Sequence, residues 1–155
     1  MSTSSIRAVK ARQTETPNVL MTTLASPSQR PTAQLSMWLV DMRAGQQGPP
    51  HFFDTEQIWH LLEGDVDIAV EGEHMALSPG DTLILPAGSV RQVSAHTDVR
   101  LVVCGHGYAV ATVPGEAASR GAVRADACNA GAPASVLHEQ LQLLGAAAER
   151  FYQCT

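Results

Sequence analysis

Glycine and proline recur at short intervals between residues 48 and 91, and this spacing constrains the fold more than any other feature of the chain. Two consecutive prolines, Pro49 and Pro50, force an extended backbone into His51 and exclude a helix there. The turn-forming residues that follow leave room only for short strands between them. These turns are placed at Gly64, Gly80, Pro86 and Gly88.

The segments between the turns alternate in the way that half-buried strands do. Val66, Ile68 and Val70 are apolar, whereas Asp65 and Asp67 are charged, which is the period of two expected when one strand face meets a core. Apolar content and turn signals predict further strands at residues 18–25, 34–42, 57–62, 74–77, 82–85, 90–94 and 99–104. Many short strands separated by such turns predict an all-β sandwich or small barrel.

The pattern changes towards both ends of the chain. Residues 1–17 are polar and are predicted to be an arm, either loose or an edge strand that crosses to a partner. Residues 18–114 form the predicted barrel, and residues 115–133, rich in Ala, Gly and Arg, form a flexible connector. Residues 134–155 are predicted to contain an α-helix, because apolar residues share one helical stripe: Val136, Leu137, Leu141, Leu144, Ala147 and Phe151.

The glycine and proline spacings resemble those of the cupin family, small β-barrels with the motifs G-x5-H-x-H-x3,4-E-x6-G and G-x5-P-x-G-x2-H-x3-N. The resemblance covers about residues 18–116 and implies a double-stranded β-helix, or jelly-roll, barrel. Within the first motif, His51 matches the first histidine, Phe53 stands at the second histidine and Gln57 at the glutamate. Arg91 stands at the histidine of the second motif.

The resemblance implies a metal held by three histidines and a glutamate, but most of these ligands are replaced. Phe53 has no donor atom, and Arg91 is cationic and repels a divalent ion. We therefore expect no metal and no other cofactor. The alternative is a metal-dependent cupin with a reduced ligand set, in which His51 and Gln57 bind the ion.

The residues left in the predicted hollow favour chemistry on a small anionic or enolate-forming molecule. We expect Arg91 to stabilise negative charge, His51 to carry a proton and Gln57 to orient the substrate. On a strand, Gln57 shares a face with Trp59, so aromatic side chains should border the same hollow. The predicted substrate-binding residues are Phe53, Trp59 and Trp38.

Each of these residues also has a purely structural interpretation. Arg91 could be buried only to pair with Asp54 or Glu56, and His51 could cap the turn after Pro50. Both tryptophans could be core residues, because large aromatic side chains dominate packing. His60 is predicted to lie on the strand face opposite Gln57, outside the hollow.

Composition excludes several classes of partner. The formal net charge of −5 argues against nucleic acid, since phosphate binding needs clustered Lys and Arg. No apolar run reaches the roughly 18–20 residues that cross a bilayer, and the N-terminus has no apolar signal core. Three cysteines without C-x-x-C spacing favour reduced thiols in the cytoplasm. An uncapped first strand favours a homodimer.

These observations lead to a functional hypothesis with two alternatives. We predict a metal-independent enzyme of a biosynthetic pathway, a cyclase, isomerase or lyase acting on a small carbonyl-bearing metabolite such as a polyketide. The first alternative is a barrel that binds a ligand for sensing or storage and performs no reaction. The second is the metal-dependent cupin already described.

Overall fold

The computed structural model describes residues 4–8, 11–27, 32 and 34–114 and the backbone of residues 122–124. These residues form strands and loops and contain no α-helix. The strands are β1 (Arg12–Glu15), β2 (Leu20–Ala25), β3 (Leu35–Met42), β4 (Phe52–Phe53), β5 (Gln57–Glu63), β6 (Val66–Val70), β7 (Glu73–Leu77), β8 (Thr82–Leu85), β9 (Arg91–Ala95), β10 (Val99–His106), β11 (Val110–Thr112) and β12 (Ala122–Arg124).

The strands pair antiparallel in three sheets that together make a jelly-roll barrel. The largest sheet has the order β1-β2-β3-β10-β5-β8, and the smaller ones have the orders β7-β6-β9 and β12-β11-β4. Apolar side chains between the sheets form the main core, and its most buried members are at most 1% exposed: Leu61, Val66, Ile68, Leu85 and Leu101. The predicted all-β jelly-roll fold is confirmed.

Strand β5 shows how the alternating sequence positions the site. Gln57, Trp59 and Leu61 are buried, whereas Ile58 is 44% exposed. His60 lies on the outer face, as predicted, and its Nδ1 is 2.8 Å from the hydroxyl of Thr82 on β8. Gln57 therefore enters the barrel interior on the same face as the tryptophan two residues later.

The predicted N-terminal arm contains a strand that pairs within its own chain. Strand β1 forms the edge of the large sheet, with Glu15 opposite Leu20. A tight turn makes this hairpin possible, since the amide of Val19 donates to Thr16 Oγ1 at 3.0 Å. Residues 12–15 thus form an edge strand, but it pairs with β2 of its own chain, whereas the edge strand predicted from the sequence was expected to cross to a partner.

The region after the barrel differs from the sequence expectation in one respect. The backbone of β12 lies within the predicted connector 115–133 and pairs with β11, placing Val110 opposite Arg124. The backbone of β12 supplies hydrogen-bond partners to the edge of β11 that β4 leaves open. The predicted helix at residues 134–155 lies outside the described residues. In the part of the chain that the structure describes, no helix could span a membrane.

Candidate functional site

The proline-rich approach places His51 directly beside Arg91. The backbones of these two residues form an isolated antiparallel bridge, in which the His51 amide donates to the Arg91 carbonyl at 2.9 Å and the reverse bond measures 2.8 Å. Gly48 extends the pairing, because its amide donates to Val93 of β9 at 2.9 Å. The extended backbone predicted from Pro49 and Pro50 thus becomes an additional strand-like segment along β9.

The guanidinium of Arg91 is completely buried and bonds only to neutral oxygens. Arg91 is 0% exposed, and its Nη1 donates to Gln57 Oε1 at 2.9 Å. Its Nε and Nη2 donate to the Ser89 carbonyl at 3.2 and 3.0 Å, and Nη2 also reaches the Pro86 carbonyl at 3.4 Å. The Phe53 ring lies 5.5 Å from Cζ, within range of a cation–π contact.

The ion pair considered from the sequence is not among these contacts. Asp54 instead accepts a hydrogen bond from the Val110 amide at 2.7 Å through Oδ1. Burial lowers the pKa of Arg91 to about 10, an effect that the Glu71 carboxylate partly opposes. The guanidinium therefore keeps its charge at neutral pH and holds that charge away from water.

The Gln57 amide is locked in one orientation. Its Oε1 accepts from Arg91 Nη1 at 2.9 Å and from Trp59 Nε1 at 3.0 Å. Both partners can only donate, so the oxygen must face them and Nε2 must face away. Gln57 is 1% exposed, and its Nε2 is buried without a hydrogen-bond partner.

His51 is held as a neutral imidazole. Its Nδ1 is 3.0 Å from the Pro49 carbonyl, which can only accept, so Nδ1 carries the hydrogen and Nε2 the lone pair. Burial lowers the pKa of His51 from 6.5 to about 4, the Pro49 bond opposes this effect, and the charge of Arg91 adds to it. This shift could not be predicted from the sequence, because burial is not visible in a local pattern.

The structure brings together five of the six predicted site residues. The Phe53 ring packs edge-on to His51 with centroids 5.7 Å apart, on the same ring that faces Arg91. Trp59 contacts this cluster through the hydrogen bond that its Nε1 donates to Gln57 Oε1. Trp38 is separated from Trp59 by one strand, since Val103 of β10 lies opposite both. Trp38 therefore lies on the same inner face of the sheet as Val103 and Trp59, and it packs against the main core.

Pro86 is predicted from the sequence only as a turn residue, and Ser89, Ser36 and Gly105 are not among the predicted site residues. Ser89 and Pro86 supply backbone carbonyls to Arg91, and only the three-dimensional course of their turn reveals this. Ser36 is 2% exposed and polar on an otherwise apolar strand. Gly105 interrupts β10, and a glycine inside a strand is a signal of close approach that could have been used.

The residues that occupy the family's ligand positions do not fit a divalent metal ion. Gln57 Oε1 already accepts two hydrogen bonds, Phe53 offers no donor atom, and Arg91 places a positive charge next to the amide. Among the described residues no group of three or more His, Cys, Asp or Glu side chains could hold an ion. His51 alone is too small a ligand set.

A separate cavity of about 460 Å³ opens at the other end of the barrel. It contains none of the predicted site residues, and we call it the open cavity. Its lining is mostly polar or charged: Glu15, Thr16, Pro17, Val19, Leu20, Asp41, Met42, Arg43, Gln46, Glu63, Asp98, Val99 and Arg100. The buried Arg91 cluster is where the perturbed groups converge, so we place the candidate site there.

Comparison with known proteins shows which family part of the chain resembles. Residues 38–105, which are less than half of the 155-residue chain, match the family described as Cupin domain. Solved structures with the same fold include an RmlC-like cupin. The resemblance inferred from the glycine and proline spacings is confirmed, and Arg91 and Gln57 stand at two positions that hold metal ligands in the cupin motifs.

Three solved structures illustrate the similarity. KdgF from Halomonas sp. is 22% identical, with a TM-score of 0.60 over 68% of this chain and 94% of that one. The polyketide cyclase RemF from Streptomyces resistomycificus is 14% identical, with a TM-score of 0.60 over 70% and 82%. The RmlC-like cupin from Shewanella frigidimarina is 16% identical, with a TM-score of 0.59 over 68% and 92%. No curated protein sequence matches the chain. These likenesses show the shared fold alone.

Proposed function

We propose that this protein is a metal-independent enzyme that forms an enolate from a small carbonyl-bearing metabolite, as an isomerase, lyase or cyclase. One observation carries the proposal: Arg91 is a fully buried cation whose hydrogen bonds all go to neutral oxygens. Burying a charge without a negative partner costs free energy of folding. In the proposed complex, an anionic ligand supplies that partner.

The proposed reaction needs a proton acceptor and an electron acceptor. His51 Nε2 carries the lone pair and takes a proton from the carbon next to the substrate carbonyl. The electron pair of that C–H bond moves to the carbonyl oxygen, and the resulting oxyanion is stabilised by Arg91. Arg91 Nη1 carries two hydrogens: one bonds to Gln57, and in the proposed complex the other donates to the oxyanion.

The fate of the enolate decides the reaction class. Return of the proton to another carbon gives an isomer, expulsion of a β-leaving group gives a lyase product, and attack on a second carbonyl closes a ring. None of these steps needs an oxidant or a reductant. The polyketide cyclase RemF has a barrel of the same fold, which supports a cyclase only as a fold-level analogy.

The pKa of His51 near 4 favours a second candidate, a barrel that binds its ligand without a reaction. An imidazole with so low a pKa is a weak base in the ligand-free protein. A bound anion raises this pKa again, because its negative charge opposes the effect of Arg91. The two candidates therefore differ in whether the ligand restores the basicity of His51. The homodimer and the cytoplasmic location stay predictions.

Deuterium exchange separates the two candidates. The intact protein, with EDTA present, is incubated in D2O with pyruvate or acetoacetate, and loss of the carbon-bound proton signal is followed by NMR. We expect exchange above the buffer rate, reduced by about a hundredfold in each of two variants. His51→Asn removes the proton acceptor, and Arg91→Lys keeps the charge but loses the fixed guanidinium donors that hold the oxyanion. His51→Asn retains a donor for the Pro49 carbonyl, so it isolates the proton-carrying role.

His60→Asn is the matched control, because His60 lies on the outer face of β5 and should leave the rate unchanged. Exchange at the wild-type rate in both Arg91→Lys and His51→Asn would refute the proposed site. Ligand-dependent stabilisation without any exchange would instead establish the binding barrel.

A further inference from the structure

Three residues form one row across the inner face of the large sheet. Ser36 on β3 lies opposite Gly105 on β10, and Gly105 lies opposite Gln57 on β5. Side chains directly opposite in antiparallel strands share a face. Ser36 and Gln57 are 2% and 1% exposed, while Met37 and Ile58, their neighbours in sequence, are exposed, so the shared face is the interior. We call this row the glycine notch.

Both side chains of the glycine notch carry an unused hydrogen-bonding atom. Ser36 Oγ and Gln57 Nε2 are buried without a hydrogen-bond partner. Buried polar atoms in folded proteins nearly always have a partner, and each exception calls for an explanation. The exceptions at Ser36 and Gln57, which stand in one row of paired residues, are both explained if one bound molecule accepts hydrogen bonds from them.

The chemistry of that partner follows from the locked amide. Arg91 and Trp59 hold Gln57 Oε1, so the atom facing the notch is the donor Nε2. The hydroxyl of Ser36 can also donate. Two donors close to a buried guanidinium select an oxygen acceptor with negative charge, and they reject a metal ion or an ammonium group.

Gly105 lets the Gln57 side chain lie close against β10. A Cβ at residue 105 would lie 3.6 Å from Gln57 Nε2 and 3.2 Å from Gln57 Cγ. Any other side chain would therefore press on Gln57 and move its amide. The φ angle of Gly105 is not positive, so backbone conformation does not require glycine here.

We propose that the glycine notch is a carboxylate-binding subsite, in which the carboxylate oxygens of the ligand accept hydrogen bonds from Gln57 Nε2 and Ser36 Oγ. This inference rests on the proposed function and narrows its substrate class to oxo acids. The carboxylate is held over Gly105, and the reacting carbonyl of the same molecule lies towards Arg91. Serine, glycine and glutamine here determine specificity, whereas His51 and Arg91 perform the proposed proton and charge transfer.

The side-chain amide of Gln57 gives a direct readout of this subsite. Pyruvate and, separately, benzoate are titrated into the 15N-labelled full chain, and the Nε2 resonances of Gln57 are assigned from their loss in Gln57→Glu. We expect these resonances to shift in a saturable way. Gln57→Glu reverses the donor into an acceptor and should abolish binding of both probes, since it places a carboxylate against a carboxylate.

Two substitutions in the glycine notch should weaken the binding of the probes by different amounts. Gly105→Ala should weaken probe binding by about tenfold or more, because the new methyl group presses on Gln57 Cγ and displaces the amide from its position, while the fold is kept. Ser36→Ala, which removes one donor, should weaken it by about threefold to tenfold. The control is Cys104→Ala, the residue before Gly105 in β10, which faces the other side of the sheet and should change nothing.

The outcomes distinguish this subsite from the proposed reaction. An unshifted Gln57 amide with both probes at saturation, or equal affinity in Gly105→Ala and the unmodified chain, refutes the carboxylate subsite. Carbon-proton exchange that persists in that case leaves the enolate reaction standing. A shifted amide whose response is lost in Gly105→Ala supports the subsite even if no exchange occurs, and then only the enzymatic reaction fails.

Discussion

The two ends of this barrel carry charged residues in opposite surroundings. At one end Arg91 is completely buried, and its charge is contacted by neutral oxygens. At the other end Arg100 lies on the rim of the open cavity with its side chain 45% exposed, and its Nε is 2.6 Å from Asp41 Oδ1. Arginine is thus used once as a desolvated charge and once as a solvated ion pair.

The pKa shifts of the two arginines have opposite directions for this reason. Burial lowers the pKa of Arg91, whereas the hydrogen bond and charge of Asp41 raise the pKa of Arg100. At the closed end, the hydrogen-bond acceptors of the Arg91 cation are all neutral. The open cavity is instead bordered by four carboxylates: Glu15, Asp41, Glu63 and Asp98. The size of a cavity therefore does not by itself identify a reactive site, because the free energy of a charge also depends on how far water is excluded from it.

The largest expected effect of a substitution is at the closed end. Arg91→Ala removes the donors that satisfy Gln57 Oε1 and the Ser89 carbonyl and leaves a cavity in the interior. We expect a loss of about 3–5 kcal/mol in the free energy of unfolding, measured by urea denaturation. Arg91→Lys keeps the charge but cannot bond to both acceptors at once, so it should lose nearly as much. A loss below about 1 kcal/mol in Arg91→Ala would contradict this expectation, because it would match the small contribution of a solvent-exposed arginine.

The next effect is the dependence of stability on pH at His51. The pKa of His51 is about 4 in the folded chain, and 6.5 is the ordinary value expected in the unfolded chain. The unfolded chain therefore binds the proton first as the pH falls. Stability from the neutral imidazole is therefore complete above pH 6.5 and is lost as the pH falls towards 4. We expect a loss of about 2–3 kcal/mol across this window.

Unfolding free energies of the intact chain at several pH values between 7 and 4 test this expectation. The loss should disappear in His51→Asn, which has no imidazole to protonate, and should persist in His60→Asn, whose side chain lies on the outer face. If His51→Asn shows the same slope as the unmodified chain, the titration belongs to other groups.

The fold could be predicted closely because strand alternation and turn residues are local signals. The segment predicted at residues 82–85 coincides with β8 (Thr82–Leu85), and residues 57–62 fall one residue short of β5. Strands β4 and β11 were missed because two or three residues are too few to display a period of two. Their pairing depends on contacts between Phe53 and Ala111, which are distant in sequence.

The sequence could predict which side chains of the candidate site lie near one another, and their role in function stays a prediction. A period of two placed Gln57 beside Trp59, and the motif spacing placed Arg91 near both. The sequence did not show how deeply His51 is buried or which backbone carbonyls accept hydrogen bonds from Arg91. Neutral His51 results from desolvation, and the Ser89 carbonyl reaches Arg91 only after the chain turns, so neither could be obtained from residue types and spacing.

The smallest effect is expected at the open cavity and completes the comparison. Arg100→Ala breaks the exposed pair with Asp41, and water solvates the remaining carboxylate, so the loss in unfolding free energy should be below about 1 kcal/mol. Salt should reduce even this difference, because ions screen exposed charges within about 10 Å at 0.1 M ionic strength. The loss caused by Arg91→Ala should be nearly independent of salt. Denaturation of both variants at low and high sodium chloride therefore measures how far each end is shielded from water, and equal salt sensitivity would contradict the distinction between them.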